Sequence, residues 1–335
     1  MALLKYLSNI IRTVGTTNSV PRRYLCLLSE KPKSEIKFIS DNKHGLESTS
    51  EDLSTVTPYY PQTYNLAAYV NNSEFLQNLV HLNVNLSKLE KKPNVVEKIL
   101  KLNFNDIKKH ILFINDFVNE EKLGTYLTKN PLILCESLQD LEVRIHYLQS
   151  KHFSQHQISR IIEHNPFWLM FSTQRIDRRL GYYQKKFDLS GDEVRYLATK
   201  QPRLITYNLH HVTTNSFVIK EEMGFEGSEI KKLLLDKPRL WMMNQKALLE
   251  RFNFIHNTMK IPHSTLLLHP EVLFCRSYKI KQRYLFLQKL GRAQFDPKKE
   301  NYVPITALAE GTDVDFCKMY AKCNISDFNV FLKTL

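Results

Sequence analysis

Asn130-Pro131-Leu132-Ile133-Leu134, Asn165-Pro166-Phe167-Trp168-Leu169, Gln201-Pro202-Arg203-Leu204-Ile205, Lys237-Pro238-Arg239-Leu240-Trp241 and His269-Pro270-Glu271-Val272-Leu273 are five versions of one phrase. Their prolines stand 35, 36, 36 and 32 residues apart. Thirteen residues after each proline come Arg144, Arg179, Asn215, Arg251 and Arg283. A near-fixed period with matched residues at two phases is the signature of a repeat array.

Within each period the pattern reads as two helices and a break. A short apolar turn follows the proline and leads into a helix with apolar residues at i, i+3, i+4 and i+7, as in Leu138, Leu141, Ile145 and Leu148. A second, shorter helix then runs up to the next proline. Ser154 with Gln157, and Ser190 with Glu193, have the spacing of a capping box, in which the serine oxygen takes an orphan backbone N–H and the residue three on reaches back. Gly224 and Gly291 stand where a helix stops in a left-handed conformation. The proline disfavours helix in the residue before it and so restarts the chain in a new direction. No single unit of about 35 residues can bury its apolar stripe alone, so neighbours must stack.

Working outward, Pro93 is expected to mark an earlier, degenerate repeat without its arginine, preceded by a capped helix starting at Ser73 and accompanied by helices over 95–100 and 107–117. After Gly291 the pattern changes. From Pro304 two or three short helices are expected, forming a cap over residues 291–335 that closes the repeat domain of residues 61–290. Residues 1–29 carry Lys5, Arg12, Arg22 and Arg23 and no acid, with Leu3, Leu4, Leu7, Ile10, Ile11 and Val14 on one helical face. That is the composition of a mitochondrial transit peptide. Residues 30–60 are charged and Ser/Thr-rich and read as a disordered linker.

The chain has 335 residues, a formal charge of +13 and only 9 glycines, too few for the tight turns of an all-β protein of this size. Residues 61–335 hold 39 Lys/Arg against 28 Asp/Glu, so the excess belongs to the folded part and points to a polyanionic partner; a merely soluble basic protein is the alternative. The cysteines at 26, 135, 275, 317 and 323 are scattered and form no Cys-x-x-Cys pair, which argues against zinc and a disulfide framework. No apolar run reaches the ~18 residues of a membrane span. His152 and His156 straddle the Ser154 cap and share no helix face, so no metal is expected. No glycine-rich phosphate loop or nucleophile elbow is present, and nothing in the sequence calls for a catalytic residue or a cofactor.

The candidate binding residues are cationic. Arg144, Arg179, Arg251 and Arg283 could line a groove and meet phosphates, since guanidinium is planar and bidentate. A position repeated in every unit equally suits packing, each arginine bonding carbonyls of the next repeat. Arg203 and Arg239 directly follow their prolines at a phase otherwise held by Leu132, Phe167 and Glu271, and are the better binding candidates. Lys129, Lys200 and Lys237 lie at second-helix ends, where a cation also complements the helix dipole. Arg175, Arg178, Arg179, Lys185 and Lys186, interleaved with Tyr182 and Tyr183, form the densest basic run: a phosphate clamp with aromatics ready to stack, or a solvated helix face. Trp168, Trp241 and Tyr207 are expected in the core.

Repeats of this length with one internal proline, a Leu-x-x-Arg-like first helix and a Leu-Gly turn resemble the mitochondrial transcription termination factor family. The stretch from Leu285 through Leu290-Gly291-Arg292-Ala293-Gln294, with Phe331 to Leu335, is similar to its third subfamily. The resemblance implies an all-α superhelical solenoid, a half-ring of mTERF repeats whose basic concave surface holds nucleic acid in the mitochondrial matrix. It implies a monomeric, non-enzymatic regulator binding double-stranded mitochondrial DNA to modulate initiation or termination. Ribosomal RNA in ribosome assembly, or a protein partner on the superhelix, is the alternative. Asn215 in place of arginine departs from the pattern.

Overall fold

The computed structural model describes residues 66–70, 73–102 and 104–335, so the expected transit peptide and linker lie outside it. Secondary structure among these residues is helical throughout, with no strand. The described residues divide into two compact units, the first ending at Arg175 and the second running from Ile176 to Leu335.

In the first unit, Ser73 caps the helix Glu74–His81 by accepting from the Leu76 amide. The helices Leu86–Glu90, Pro93–Leu100, Phe104–Asn115 and Glu120–Lys129 follow. Gly124 lets the last of these lie directly on the chain at Leu82 and Asn83; a Cβ there would meet the Leu82 carbonyl oxygen at 2.1 Å. The proline-led turn Pro131–Cys135 comes next and packs on Pro93–Leu100. The long helix Leu138–Ser150 and the short helix Gln155–His164 complete the repeat. The short helix shows how the sequence specifies a unit. The Ser154–Gln157 capping box starts it, and Ile158, Ile161 and Ile162 are all buried from one face, worth about 1.5–3 kcal/mol each. Pro166 ends it, holding Asn165 out of helix at φ −133°, ψ 85°.

The same kink recurs at every proline of the ladder. Asn130, Asn165, Gln201, Lys237 and His269 have φ between −137° and −128° and ψ between 56° and 85°. Lys92 before Pro93, at φ −128° and ψ 78°, is the same joint, which makes Pro93–Lys129 a repeat of the series.

The second unit continues with the pairs Thr173–Lys186 (from Ile176 on) and Gly191–Lys200, then Leu209–Phe217 and Gly227–Asp236, then Gln245–Asn253 and His263–Leu268. They alternate with the turns Pro202–Thr206, Pro238–Met242 and Pro270–Phe274. Two of the long helices widen into π-turns, Val218–Glu222 and Phe254–Thr258, before they stop. Trp241 is fully buried, donates from Nε1 to Ser216 Oγ at 2.9 Å and meets Phe187 edge-on. In the first unit Trp168 is buried as well, whereas Tyr207 in the second is only half-buried.

Every long helix from the Pro131 repeat onward ends on a left-handed residue. The series is His152, Asp188, Gly224, Lys260 and Gly291, with φ from 49° to 72°. The last repeat has no second helix. After Ser277–Lys289 the chain loops to the turn Ile305–Leu308, then the helix Asp313–Phe316 with its π-turn Cys317–Ala321, and ends in the helix Ile325–Leu332.

Candidate nucleic-acid interface

The regular arginines, read in sequence as either phosphate ligands or packing residues, are occupied inside the fold. Each reaches forward to the backbone of the next proline turn. In the first unit Arg144 donates to the Leu169 carbonyl and pairs with Glu136 at 2.8 Å. In the second, Arg179 donates to the carbonyls of Ile205 and Tyr207, and Arg251 to that of Leu273 at 2.6 Å. Burial pulls the Arg251 guanidinium below its usual pKa. Arg283 is completely buried: it donates to the carbonyls of Ala307, Glu310 and Gly311 and to Asp313, and lies over the Phe316 ring.

Asn215 holds the same place with a shorter reach. Its amide donates to the Met243 carbonyl at 2.8 Å and to that of Trp241 at 3.1 Å, helped by His211, whose Nε2 also meets the Met243 carbonyl. His110 fills the role in the degenerate repeat, with Nε2 2.8 Å from the Glu136 carbonyl. Sequence alone missed these histidines because they stand 17 and 9 residues after Pro93 and Pro202, off the phase of the arginines.

The irregular cations have a different setting. In the second unit Arg203 and Arg239 are exposed on the turns Pro202–Thr206 and Pro238–Met242, which pack on each other. Lys200 donates to the Leu235 carbonyl at 2.9 Å and stands 3.7 Å from Asp236. Lys237 stands 3.9 Å from Glu271 on the following turn, and the Arg239 guanidinium lies 5.9 Å over the Phe274 ring. Lys200 and Lys237 thus stand beside Asp236 and Glu271, while Arg203 and Arg239 are exposed on turns that pack on each other.

Lys129 and Arg175 belong to the first unit, both exposed; Arg175 lies 4.3 Å over the Phe171 ring. Arg178, Lys185 and Lys186 are exposed on the long helix of the second unit. Tyr183 there is buried, its hydroxyl donating to the Leu204 carbonyl at 3.0 Å, while Tyr182 meets Thr213 at 3.1 Å. Tyr183 therefore has no face open for stacking on a base. No group of His, Cys, Asp and Glu among the described residues could hold a metal ion, and no described helix is long and apolar enough to cross a membrane.

The mTERF family model matches residues 4–307, a span that contains the whole proline ladder. The chain belongs to the mTERF family. Among mTERF proteins it is 45% identical over 274 residues to the mitochondrial transcription termination factor 3 of Drosophila melanogaster, covering 81% of this chain and 77% of the relative. The factor of that name from Rattus norvegicus is 40% identical over 341 residues, covering 98% and 83%. A more distant mTERF relative, the mitochondrial transcription termination factor 4 of Mus musculus, is 24% identical over 178 residues, about half of each chain.

Proposed function

We propose that this mTERF protein is a non-enzymatic regulator of mitochondrial transcription that works in the matrix as a monomer, by occupying double-stranded mitochondrial DNA. The observation that carries this reading is the extended likeness to relatives named as mitochondrial transcription termination factors. The cations on the edge of stacked turns, exposed at Arg203 and Arg239 and half-buried at Lys200 and Lys237, supply the chemistry. Arg203, Arg239, Lys200 and Lys237 repeat with the units, as a backbone of regularly spaced phosphates requires. Lys129 and Arg175 in the first unit, and Arg178 in the second, extend the basic surface within their own units.

Affinity of this kind comes mainly from phosphate neutralisation and falls steeply with salt. The regular arginines serve the repeat joints instead, Arg144, Arg179 and Arg251 through Nη1 and Arg283 through its whole guanidinium.

Fluorescence anisotropy with a labelled DNA duplex tests the reading. Arg203→Glu with Arg239→Glu should weaken binding at least tenfold to any sequence, and lower the slope of log affinity against log salt by about 2, near 0.9 for each phosphate no longer neutralised. Unchanged affinity and slope would remove this edge from the interface. Tighter binding to ribosomal RNA than to duplex DNA of the same length would move the function to ribosome assembly.

A further inference from the structure

A unit that closes a helical array is expected to turn a polar outer face to solvent. The terminal unit here sets large apolar side chains among its exposed polar ones. Half of the large apolar side chains exposed among the described residues fall after position 284, and Val314, Met319, Val330 and Leu335 are each more than half exposed. A cavity of about 180 Å³ opens between the turn Ile305–Leu308 and the helix that begins at Asp313. Phe316, Met319 and Tyr320 make its apolar wall, while Glu310 and Asp315 stand on its rim.

The charge of this region is also opposite to that of the chain. Residues 305–335 carry four acids, Glu310, Asp313, Asp315 and Asp327, against three lysines, in a protein of net charge +13. Asp313 is committed to Arg283, but Glu310 and Asp315 are exposed. Hydrogen bonds from the Thr312 hydroxyl and amide hold the Asp315 carboxyl below its usual pKa, so it is anionic at neutral pH.

The Glu310 and Asp315 carboxylates repel phosphate, and Lys279 beside them is bonded to the Ala309 and Gly311 carbonyls, so nucleic acid and anionic lipid are disfavoured as occupants. An apolar wall under an anionic rim instead matches a long cationic side chain, whose methylenes lie on apolar surface while its head meets carboxylates. We propose that this groove is a docking site for a partner protein, which inserts a lysine or arginine from a basic amphipathic helix between Glu310 and Asp315, against Met319. None of its lining residues belongs to the edge that carries Arg203 and Arg239, so the two sites share no side chain.

The test uses the full chain and a labelled 18-residue amphipathic peptide of leucine and lysine, with its leucine–glutamate counterpart as control. Elsewhere the protein's positive charge disfavours a cationic peptide, so binding of the lysine peptide is selective for an acidic site. Anisotropy should show the lysine peptide binding at least tenfold more tightly than the glutamate peptide, and hydrogen exchange should show protection within residues 305–322. Met319→Lys puts a positive charge at an exposed position the fold does not need, and Glu310→Lys reverses the rim. Each should weaken the lysine peptide at least tenfold while leaving DNA affinity intact. Equal affinity for the two peptides, protection mapped elsewhere, or indifference to both substitutions overturns the proposal. So does concentration-dependent dimerisation that either substitution abolishes, because the groove would then hold a second copy of the chain.

Discussion

Removal of the Arg283 side chain measures what a repeat joint contributes. Arg283 has no exposed surface and donates to three carbonyls at 2.6 to 3.1 Å and to Asp313 at 2.7 and 3.0 Å. Hydrogen bonds from a charged donor contribute about 1.5–3 kcal/mol each, but three bonds on one guanidinium do not add independently. The Asp313 side chain is 49% exposed, so solvent screens that ion pair and its share is small. The better guide is the loss of one partner from a buried charged network, about 3–5 kcal/mol. Arg283→Ala is expected to cost that much, with the loss concentrated in residues 305–335. Arg283→Lys should recover part of it, since an ammonium cannot fork to all four acceptors. Hydrogen exchange reads the terminal segment directly, which matters because a chain of two units need not unfold in one step. A loss under about 1 kcal/mol with protection of residues 305–335 intact would refute the joint. Lost DNA binding at unchanged stability would return Arg283 to the interface.

Further predictions concern single side chains. Lys260→Gly should stabilise the second unit by about 0.5–1 kcal/mol, because Lys260 sits at φ 58° where glycine meets no Cβ penalty; thermal melting should rise by a few degrees. Gly124→Ala should destabilise the first unit by about 1–3 kcal/mol, since the added carbon strikes the Leu82 carbonyl oxygen rather than a side chain that can move; urea unfolding checks it. The hydrogen bond from Lys231, then that from the Ser190 amide, hold the Glu193 carboxyl below its usual pKa. A depressed carboxyl stabilises the fold above its unfolded pKa and loses that contribution as pH falls through the folded value. Glu193→Gln should therefore be less stable than the parent at pH 7, and the gap should close below about pH 4, as followed by thermal melting.

Much of this architecture is legible in the sequence because proline and the helix caps act locally. A pre-proline residue is disfavoured in helix by a local steric clash, so the ladder marks the joints directly. The capping boxes at Ser154 and Ser190 form as their spacing indicates. The left-handed helix ends are only half legible. Gly224 and Gly291 announce themselves, but His152, Asp188 and Lys260 adopt the same conformation because tertiary packing fixes the turn and overrides their preference. The arginines were ambiguous for a physical reason: a guanidinium suits a phosphate and a pair of carbonyls equally, and only the folded chain decides which is within reach. The acidic groove was invisible because Glu310, Asp315 and Met319 lie on two elements that meet only when the terminal unit folds.

The forward grip of one repeat on the next has a consequence for how such chains vary. Because Arg283 is anchored to the turn at Ile305–Leu308 and to Glu310, Gly311 and Asp313, the stack is aligned by side-chain anchorage and not by the number of residues between. What lies between the two anchor points is free to change length and structure. The last repeat already uses that freedom, replacing its second helix with the loop from Gly291 to Val303. This loop is the natural place to graft a foreign sequence, such as a tag or a small domain, with the neighbouring repeats keeping their alignment.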